Sequence, residues 1–315
     1  MNSVIFLGTP QFGATVLEGL IKAGYHILAV VTQPDKKVGR KQKVVYSPVK
    51  EVALANDLPL YQPVRLSKSD ELDELLQLDA DFIITAAFGQ FLPTKFLKSA
   101  KIAAVNVHGS LLPKYRGGAP IQYAVRNGDA ETGVTIMEMV KEMDAGDMYA
   151  QASLPIRPDE TSGEVFEELA PLGRDLLLET LPKIASGEIV KKPQDPSQVV
   201  FSPTISKAEE RISLKLTAKE AKNLIRALNP DPGAYLVIKG QRLKVWKAEV
   251  ADDNTSLPAG HLLTNQGRFA ISFAGNTVLN LLEVQPNGKK SMAIKDFLNG
   301  QGKKFAAGEK IVDED

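Results

Sequence analysis

Short apolar runs alternate with helical patterns through the first half of the chain, and this alternation constrains the fold more than any other feature. Apolar, partly β-branched segments predict strands at residues 4–7, 27–31, 81–86, 102–107 and 132–140. Helical patterns lie between several of them, for example at residues 47–56 and 70–78. Strands separated by helices of this length form βαβ units and a parallel sheet. We therefore predict an α/β fold with a doubly wound, mostly parallel, Rossmann-like sheet.

A region of different character follows a polar stretch that is rich in proline. Residues 191–205 have this composition, which is typical of a linker. After it, Thr217 and Glu220 form the pattern of a capping box at the start of a helix. Short strands are then predicted at residues 234–239, 242–250, 260–264, 268–273 and 277–284. Their close spacing indicates a small β-barrel or sandwich, and of these we predict an OB-like β-barrel. We predict a first domain at residues 1–190, the linker, and a β-barrel domain at residues 206–315.

Composition excludes several kinds of site. The chain has no cysteine, which excludes disulfides, thiolate metal sites and a cysteine nucleophile. Its histidines are scattered, and neither His26 nor His261 has a partner motif, so we expect no metal. Pro10 replaces the middle glycine of a dinucleotide fingerprint. No apolar run approaches the roughly 18 residues of a membrane span, and the first residues look like a strand rather than a signal peptide. We expect a cytoplasmic monomer.

The stretch Val105-Asn-Val-His-Gly-Ser-Leu-Leu-Pro113 carries the most chemistry. Residues two apart along a strand face the same side, so Asn106 and His108 point together. Both end a predicted parallel strand, and open α/β sheets bind ligands at that edge. Asp144 follows the next predicted strand, which places it at the same rim. We therefore expect an amide, an imidazole and a carboxylate to converge there.

These three groups suit acyl transfer to an amine. Asn106 can donate to a developing oxyanion. His108 can donate to the same oxygen and move a proton. Asp144 can orient the imidazole or accept the proton of the attacking amine. The residues alone leave a second interpretation open, in which the first two are hydrogen-bonded strand-end residues and Asp144 is part of a turn.

Positive charge is concentrated in two places although the net charge is zero. Residues 34–50 carry a net charge of +5 and residues 204–315 carry +4, which leaves about −9 elsewhere. Gly39 and the absence of apolar periodicity predict a mobile loop in the first of these. Its candidate nucleic-acid contacts are Lys36, Lys37, Arg40, Lys41 and Lys43. The alternative interpretation is a solvated charged face.

The second basic region combines cations with an aromatic side chain. Arg242, Lys244 and Trp246 alternate along one predicted strand, and Lys289 and Lys290 follow a predicted turn. Small barrels hold nucleic acid on strand faces of this composition. Trp246 by itself is more often a core residue.

Several motifs together resemble the 10-formyltetrahydrofolate-dependent formyltransferases, over the whole length of the chain. Those of the first half are Gly8-Thr-Pro10, Thr32-Gln-Pro-Asp35, Asn106-x-His108-x-Ser110-Leu-Leu-Pro113, Arg116-Gly-Gly-Ala-Pro-Ile-Gln122 and Asp144-x-Gly-Asp147. Those of the second half are Ile205-Ser-Lys207, Leu228-Asn-Pro230 and Gly288-Lys-Lys-x-Met292. The second group favours, within this family, the branch that formylates methionine on initiator tRNA.

The resemblance implies roles for individual residues. Asn106, His108 and Asp144 match the family's catalytic residues, and residues 34–50 match its tRNA-reading loop, with the key arginine at Arg40. It implies 10-formyltetrahydrofolate as the formyl donor and no metal. The folate-binding positions that it implies are Phe88, Gly89, Gln90, Ser110, Leu111, Leu112, Pro113 and Val140. The first domain would then catalyse and the second would hold tRNA.

Two alternatives remain at this point. One is a related folate-dependent formyltransferase or hydrolase that acts on a small molecule such as a nucleotide sugar. A sugar enzyme would not need the charge of residues 34–50, and an enzyme for glycinamide ribonucleotide would normally lack residues 204–315. The other alternative is a non-catalytic tRNA-binding protein, against which the intact Asn106, His108 and Asp144 argue.

Overall fold

The computed structural model describes residues 2–38 and 42–314, which form two compact units. The first unit comprises Met1–Pro120, Glu131–Pro155 and Phe166–Pro203. The second comprises Ile121–Ala130, Ile156–Val165 and Thr204–Asp315. The units therefore alternate along the chain, whereas the sequence predicted two consecutive domains.

Strands of the first unit form a seven-stranded sheet and a separate hairpin. In chain order they are β1 (Ser3–Gly8), β2 (His26–Val31), β3 (Lys36–Val38), β4 (Lys43–Val45), β5 (Leu60–Tyr61), β6 (Phe82–Ala86), β7 (Ala103–His108), β8 (Glu131–Glu138) and β9 (Met148–Pro155). The sheet order is β5-β2-β1-β6-β7-β8-β9. The five strands β5, β2, β1, β6 and β7 each pair in parallel with the next in this order, which confirms the doubly wound, mostly parallel sheet. Strands β8 and β9 are antiparallel to their neighbours.

Helices lie at the segments 47–56 and 70–78, where the apolar periodicity predicts them, and others occur as well. They are α1 (Gln11–Lys22), α2 (Pro48–Ala55), α3 (Glu71–Leu76), α4 (Thr94–Leu97), α5 (Pro120–Asn127) and α6 (Ser162–Ala185). Ser47 caps α2 by accepting from the backbone N–H of Lys50 at 3.1 Å, and Pro48 occupies its first turn. An ideal Cβ on Gly13 would lie 2.8 Å from the carbonyl oxygen of Ala86, so only glycine lets α1 approach the end of β6 this closely.

The basic segment is partly a hairpin rather than the loop that the sequence predicted. Strands β3 and β4 pair in antiparallel register, with Lys36 opposite Val45 and Lys37 opposite Val44. Backbone hydrogen bonds between the two strands hold them together. The sequence gives no sign of these bonds, because the segment has no apolar periodicity. The prediction of a loop is therefore wrong for residues 36–38 and 43–45, which are strands. Arg40 and Lys41 lie outside the described residues.

Residues predicted to be a linker belong largely to the first unit. Met148 and Lys192 exchange two backbone hydrogen bonds, at 2.8 and 2.9 Å. Arg116 forms an isolated parallel bridge with Phe201. These backbone contacts explain why the segment up to Pro203 clusters with the first unit rather than standing apart from it.

The second unit is built on an antiparallel, curled half-barrel sheet, in agreement with the predicted small barrel. Its elements are α7 (Ala218–Ala227), β10 (Tyr235–Ile238), β11 (Gln241–Val250), β12 (Leu262–Thr264), β13 (Phe269–Ser272), β14 (Val278–Pro286), β15 (Met292–Ala293) and α8 (Ile294–Asn299). The predicted capping box at Thr217 and Glu220 is present at the start of α7. Phe269 packs edge-on against Phe297 and Phe305 in the core. In the described part of the chain, no helix has the length and apolar character to cross a membrane.

Candidate active site

Asn106 and His108 lie on one face of β7, as the period of a strand requires. Their neighbours Val105 and Val107 are buried on the opposite face. Thr85 stands opposite Asn106 in the parallel register of β6 and β7, and its hydroxyl donates to Asn106 Oδ1 at 2.8 Å. This bond orients the amide, and its Nδ2 has no hydrogen-bond partner among the described residues. Asn106 therefore presents a donor toward the carboxyl end of the sheet.

The tautomer of His108 follows from its surroundings. Its Nε2 lies 2.9 Å from the carbonyl oxygen of Tyr115, which can only accept, so Nε2 carries a proton. Its Nδ1 lies 3.8 Å from Asp144 Oδ1. The ring is buried, at 5% exposure. Nδ1 is thus the atom that can take up a proton and then donate it, with a carboxylate beside it to stabilise the charged ring.

Asp144 reaches this site by a route that the sequence argument did not foresee. The sequence predicts Asp144 at the carboxyl end of a parallel strand, but β8 is antiparallel to β7, and Glu138 at its carboxyl end pairs with Val105. The loop 139–147 returns the chain to the site. There Asp144 Oδ2 accepts from the backbone N–H of Gly117 at 2.9 Å. The reasoning that places Asp144 beyond a parallel strand is therefore wrong, although Asn106, His108 and Asp144 do come together.

The predicted folate loop at residues 88–90 is held by glutamine side chains. Phe88 is buried, and its carbonyl oxygen accepts from Gln33 Nε2 at 3.0 Å. Gln90 Oε1 accepts from the backbone N–H of Leu66 at 2.9 Å, so this side chain anchors the loop. Gly89 has φ 80°, and an ideal Cβ on it would meet nothing closer than 3.9 Å. The backbone at Gly89 therefore faces open space.

The predicted folate positions 110–113 are braced by β8 and β9. Ser110 is fully buried and its hydroxyl donates to the carbonyl of Lys114 at 2.7 Å, so its side chain is engaged within the protein. Thr135 Oγ1 accepts from the N–H of Leu112 at 3.1 Å, and Gln151 Nε2 donates to the carbonyl of Leu112 at 2.9 Å. The same loop continues through the half-buried Leu111 and Pro113. Val140 is exposed on the loop that carries Asp144.

Lysines of the basic hairpin differ in their availability. Lys36, Lys37 and Lys43 are exposed. Lys50 is instead buried at the base, where its Nζ donates to Asp35 Oδ2 at 2.6 Å and to Gln62 Oε1 at 2.9 Å. Hydrogen bonds from Lys50 and Gln62 lower the pKa of Asp35. The candidates Arg40 and Lys41 are outside the described residues.

The candidate basic residues of the second unit lie on β11 and in the turn that follows its neighbour β14. The guanidinium of Arg242 lies 3.7 Å from the centre of the Tyr235 ring. Lys244 Nζ donates to the carbonyl of Pro232 at 2.6 Å and lies 5.3 Å from the Trp246 ring. Gln285 links β11 to this turn, since its Oε1 accepts from Trp246 Nε1 at 3.0 Å and its Nε2 donates to the carbonyl of Lys289 at 2.8 Å. The side chains of Lys289 and Lys290 are exposed.

Residues around the three polar groups include several that the sequence argument missed. Thr85, Tyr115, Gly117 and Gln194 each bond to one of the three or to its loop. Only a pairing register between neighbouring strands could have pointed to Thr85. Within the described ranges, no group of acidic or histidine side chains is arranged to hold a metal ion.

Family models match both halves of the chain. The model described as formyl transferase matches residues 1–181, and the model described as formyl transferase, C-terminal domain, matches residues 204–302. A methionyl-tRNA formyltransferase of Lactobacillus acidophilus is 67% identical over 314 residues, with 100% of both chains covered. A protein of the same name from Lacticaseibacillus casei is 54% identical over 316 residues, covering 100% of this chain and 99% of its own.

Solved structures with lower identity share the fold. The N-formyltransferase from Helicobacter canadensis, in complex with folinic acid and dTDP-3-aminofucose, gives a TM-score of 0.69 at 19% identity and covers 91% of this chain and 100% of its own. A 4-N formyltransferase from Francisella tularensis gives a TM-score of 0.61 at 18% identity, covering 76% of this chain and 95% of its own.

Proposed function

The chain belongs to the formyl transferase family, and we propose that it transfers the formyl group of 10-formyltetrahydrofolate to the amino group of methionine on initiator tRNA. The observation that carries the chemistry is the convergence of Asn106, His108 and Asp144. The acceptor is inferred from relatives named methionyl-tRNA formyltransferase, which are 51–67% identical over the full chain. The sugar-modifying proteins share the fold at 19% identity or less, so they do not support a sugar acceptor.

The proposed reaction forms one bond and breaks another at the formyl carbon. The neutral amine of methionine attacks this carbon, the bond from the carbon to N10 of the donor breaks, and negative charge develops on the formyl oxygen on the way. Asn106 Nδ2 and the protonated Nδ1 of His108 donate to that oxygen. Asp144 stabilises the charged imidazole and receives the proton that the amine loses. A proton then passes from Asp144 to N10 as the bond to the formyl carbon breaks, so that Asp144 is a carboxylate again at the end.

The tautomer of His108 makes this assignment specific. Because Nε2 already donates to Tyr115, the ring can donate to the formyl oxygen only through Nδ1, and only when both nitrogens carry protons. Asp144 Oδ1 lies 3.8 Å from that Nδ1, where it can serve as the counter-ion of the ring. His108 therefore acts as a cationic donor and Asp144 as its counter-ion and proton acceptor.

Folate binding is assigned to the walls of the same site. The open backbone at Gly89 offers polar groups, and the half-buried Leu111 and Pro113 and the exposed Val140 offer apolar surface. This combination fits a planar heterocycle with polar edges. The folinic acid held by the Helicobacter canadensis protein supports a folate derivative as the donor class. We assign tRNA to the exposed lysines of the hairpin and to the basic residues of β11 and of the turn after β14.

A formyl-transfer assay with methionyl-initiator tRNA and 10-formyltetrahydrofolate tests the proposal. Wild-type protein should formylate the aminoacylated tRNA, and an amino sugar nucleotide should not replace it as acceptor. His108→Ala and Asn106→Ala should each lower kcat by about 10²–10³-fold, and Asp144→Ala by about 10²–10⁴-fold. Folate affinity, measured by calorimetry, should change far less. Formyl transfer to the sugar nucleotide alone would favour the alternative acceptor.

A further inference from the structure

Gln194, from the segment predicted to be a linker, holds the backbone on both sides of Ala145. Its Nε2 donates to the carbonyl oxygens of Asp144 and Gly146, each at 2.8 Å. The side chain is buried, at 8% exposure. Since an amide nitrogen carries two hydrogens, both are used in these bonds. One side chain therefore fixes the turn that carries the Asp144 carboxylate.

Arg116 holds the other end of the same glutamine. Its Nε and Nη2 donate to Gln194 Oε1 at 2.9 and 2.7 Å. A guanidinium can only donate, so this contact requires the oxygen of the amide to face Arg116 and the nitrogen to face the turn. The next residue, Gly117, donates its backbone N–H to Asp144 Oδ2 at 2.9 Å. Adjacent residues thus hold Asp144 twice, directly at its carboxylate and through Gln194 at its backbone.

Asp144 has a backbone conformation that needs such support. Its φ of 51° lies in the left-handed region, which is disfavoured for a residue with a Cβ. Conformations of this kind persist when the surrounding structure over-determines them. The hydrogen bonds from Gln194 and Gly117 do so here. A rotation of the turn would change the 3.8 Å separation between Asp144 Oδ1 and His108 Nδ1.

We propose that Gln194 and Arg116 are positioning residues for Asp144, which they hold at the distance and orientation that proton acceptance requires. The inference rests on the proposed function, because it assigns Asp144 a role in formyl transfer. Gln194 and Arg116 act through the Asp144 turn rather than on the reacting atoms. Their removal should therefore affect the chemical step more than the binding of either substrate.

The first test compares two glutamines of the same segment. Gln194→Met keeps the length of the side chain but removes all its hydrogen bonds, and it should lower kcat by about 10–100-fold with KM for both substrates within about threefold. Gln198→Met is the matched control, since that side chain is exposed and, among the described residues, its Nε2 donates only to Asp195 Oδ2, at 2.9 Å. It should match the wild type. Gln194→Glu keeps an acceptor for Arg116 but cannot donate to the carbonyls, so the same loss of kcat is expected.

A double variant separates positioning from general damage to the fold. In an Asp144→Asn background, Gln194→Met should lower kcat by less than about twofold, because the group that it positions is already disabled. Independent, multiplicative losses would overturn the proposal, as would wild-type kcat in Gln194→Met or Gln194→Glu. Circular dichroism and thermal melts show whether each variant folds. If a Gln194 variant does not fold, Arg116→Lys replaces it in the comparison. Wild-type protein that transfers no formyl group to methionyl-tRNA would instead overturn the proposed function.

Discussion

Glu209 joins parts of the second unit that are far apart in the sequence. Its Oε1 accepts from Arg126 Nη1 at 2.7 Å and from Tyr123 Oη at 3.1 Å, and its Oε2 accepts from the backbone N–H of Ser206 at 2.9 Å. These contacts lower the pKa of Glu209 from 4.5 to about 2, with the Ser206 backbone N–H as the largest cause. Folding therefore stabilises the ionised carboxylate.

The pKa difference sets the expected size of this stabilisation. A fall from 4.5 to about 2 corresponds to about 3 kcal/mol of unfolding free energy. The side chain is 27% exposed, and solvent screening reduces the expected value to about 2–3 kcal/mol. Because the folded pKa is the lower one, the stabilisation is fully present above the unfolded value of 4.5 and is lost as pH falls toward about 2.

Glu209→Gln tests this reasoning, since glutamine has the size of the protonated side chain without its charge. We expect the variant to be less stable than wild type by about 2–3 kcal/mol near neutral pH, and the difference to shrink nearly to zero at about pH 2. Urea denaturation followed by the fluorescence of Trp246 measures it, because this single tryptophan lies in the same unit. Glu210→Gln is the control at the adjacent carboxylate. An equal difference at neutral and acidic pH would refute the electrostatic explanation.

Thr85→Val should lower kcat by about 10-fold with little change in melting temperature, since valine keeps the shape of threonine but lacks the hydroxyl that orients Asn106. Steady-state kinetics and a thermal melt measure the two quantities. An unchanged kcat would mean that other groups orient the amide. Gly146→Ala should lower kcat by about 10²-fold, because the new Cβ would lie 1.9 Å from the carbonyl oxygen of Glu138 and the Asp144 turn must shift. Steady-state kinetics that show a lower kcat with KM near the wild-type value would support the prediction. Full activity would contradict it. Neutralising the exposed hairpin lysines should reduce the slope of log tRNA affinity against log salt concentration by about 2–3. Binding titrations at several salt concentrations measure this slope. An unchanged slope would mean that the hairpin is only a solvated charged face. The lysines to replace with glutamine are Lys36, Lys37 and Lys43.

Features that depend on neighbouring residues or on a regular period were predictable. The capping box at Thr217 and Glu220 forms within one helical turn, so its residues specify it. The shared face of Asn106 and His108 follows from the period of a strand. The alternation of strands and helices was enough to predict the mostly parallel sheet, because that pattern has few ways to bury its apolar faces.

The return of Asp144 to the site was decided by tertiary structure. Strand direction in a sheet depends on how the connecting chain docks, and nothing in the pattern of β8 distinguishes an antiparallel neighbour from a parallel one. The roles of Gln194 and Arg116 depend on a contact across 78 positions of the chain. Composition alone made residues 191–205 look like a linker, because proline and polar residues are also compatible with a segment that bonds through its backbone.

The sequence by itself therefore determined the class of fold and the chemical identity of the groups at its edge, since both are set by periodicity and by residue type. Tertiary structure decided which of those groups meet, which nitrogen of His108 carries its proton, and what holds Asp144 in an unfavourable conformation. The physical reason is that these properties depend on hydrogen bonds between distant segments, whose energies exist only after the segments have packed together.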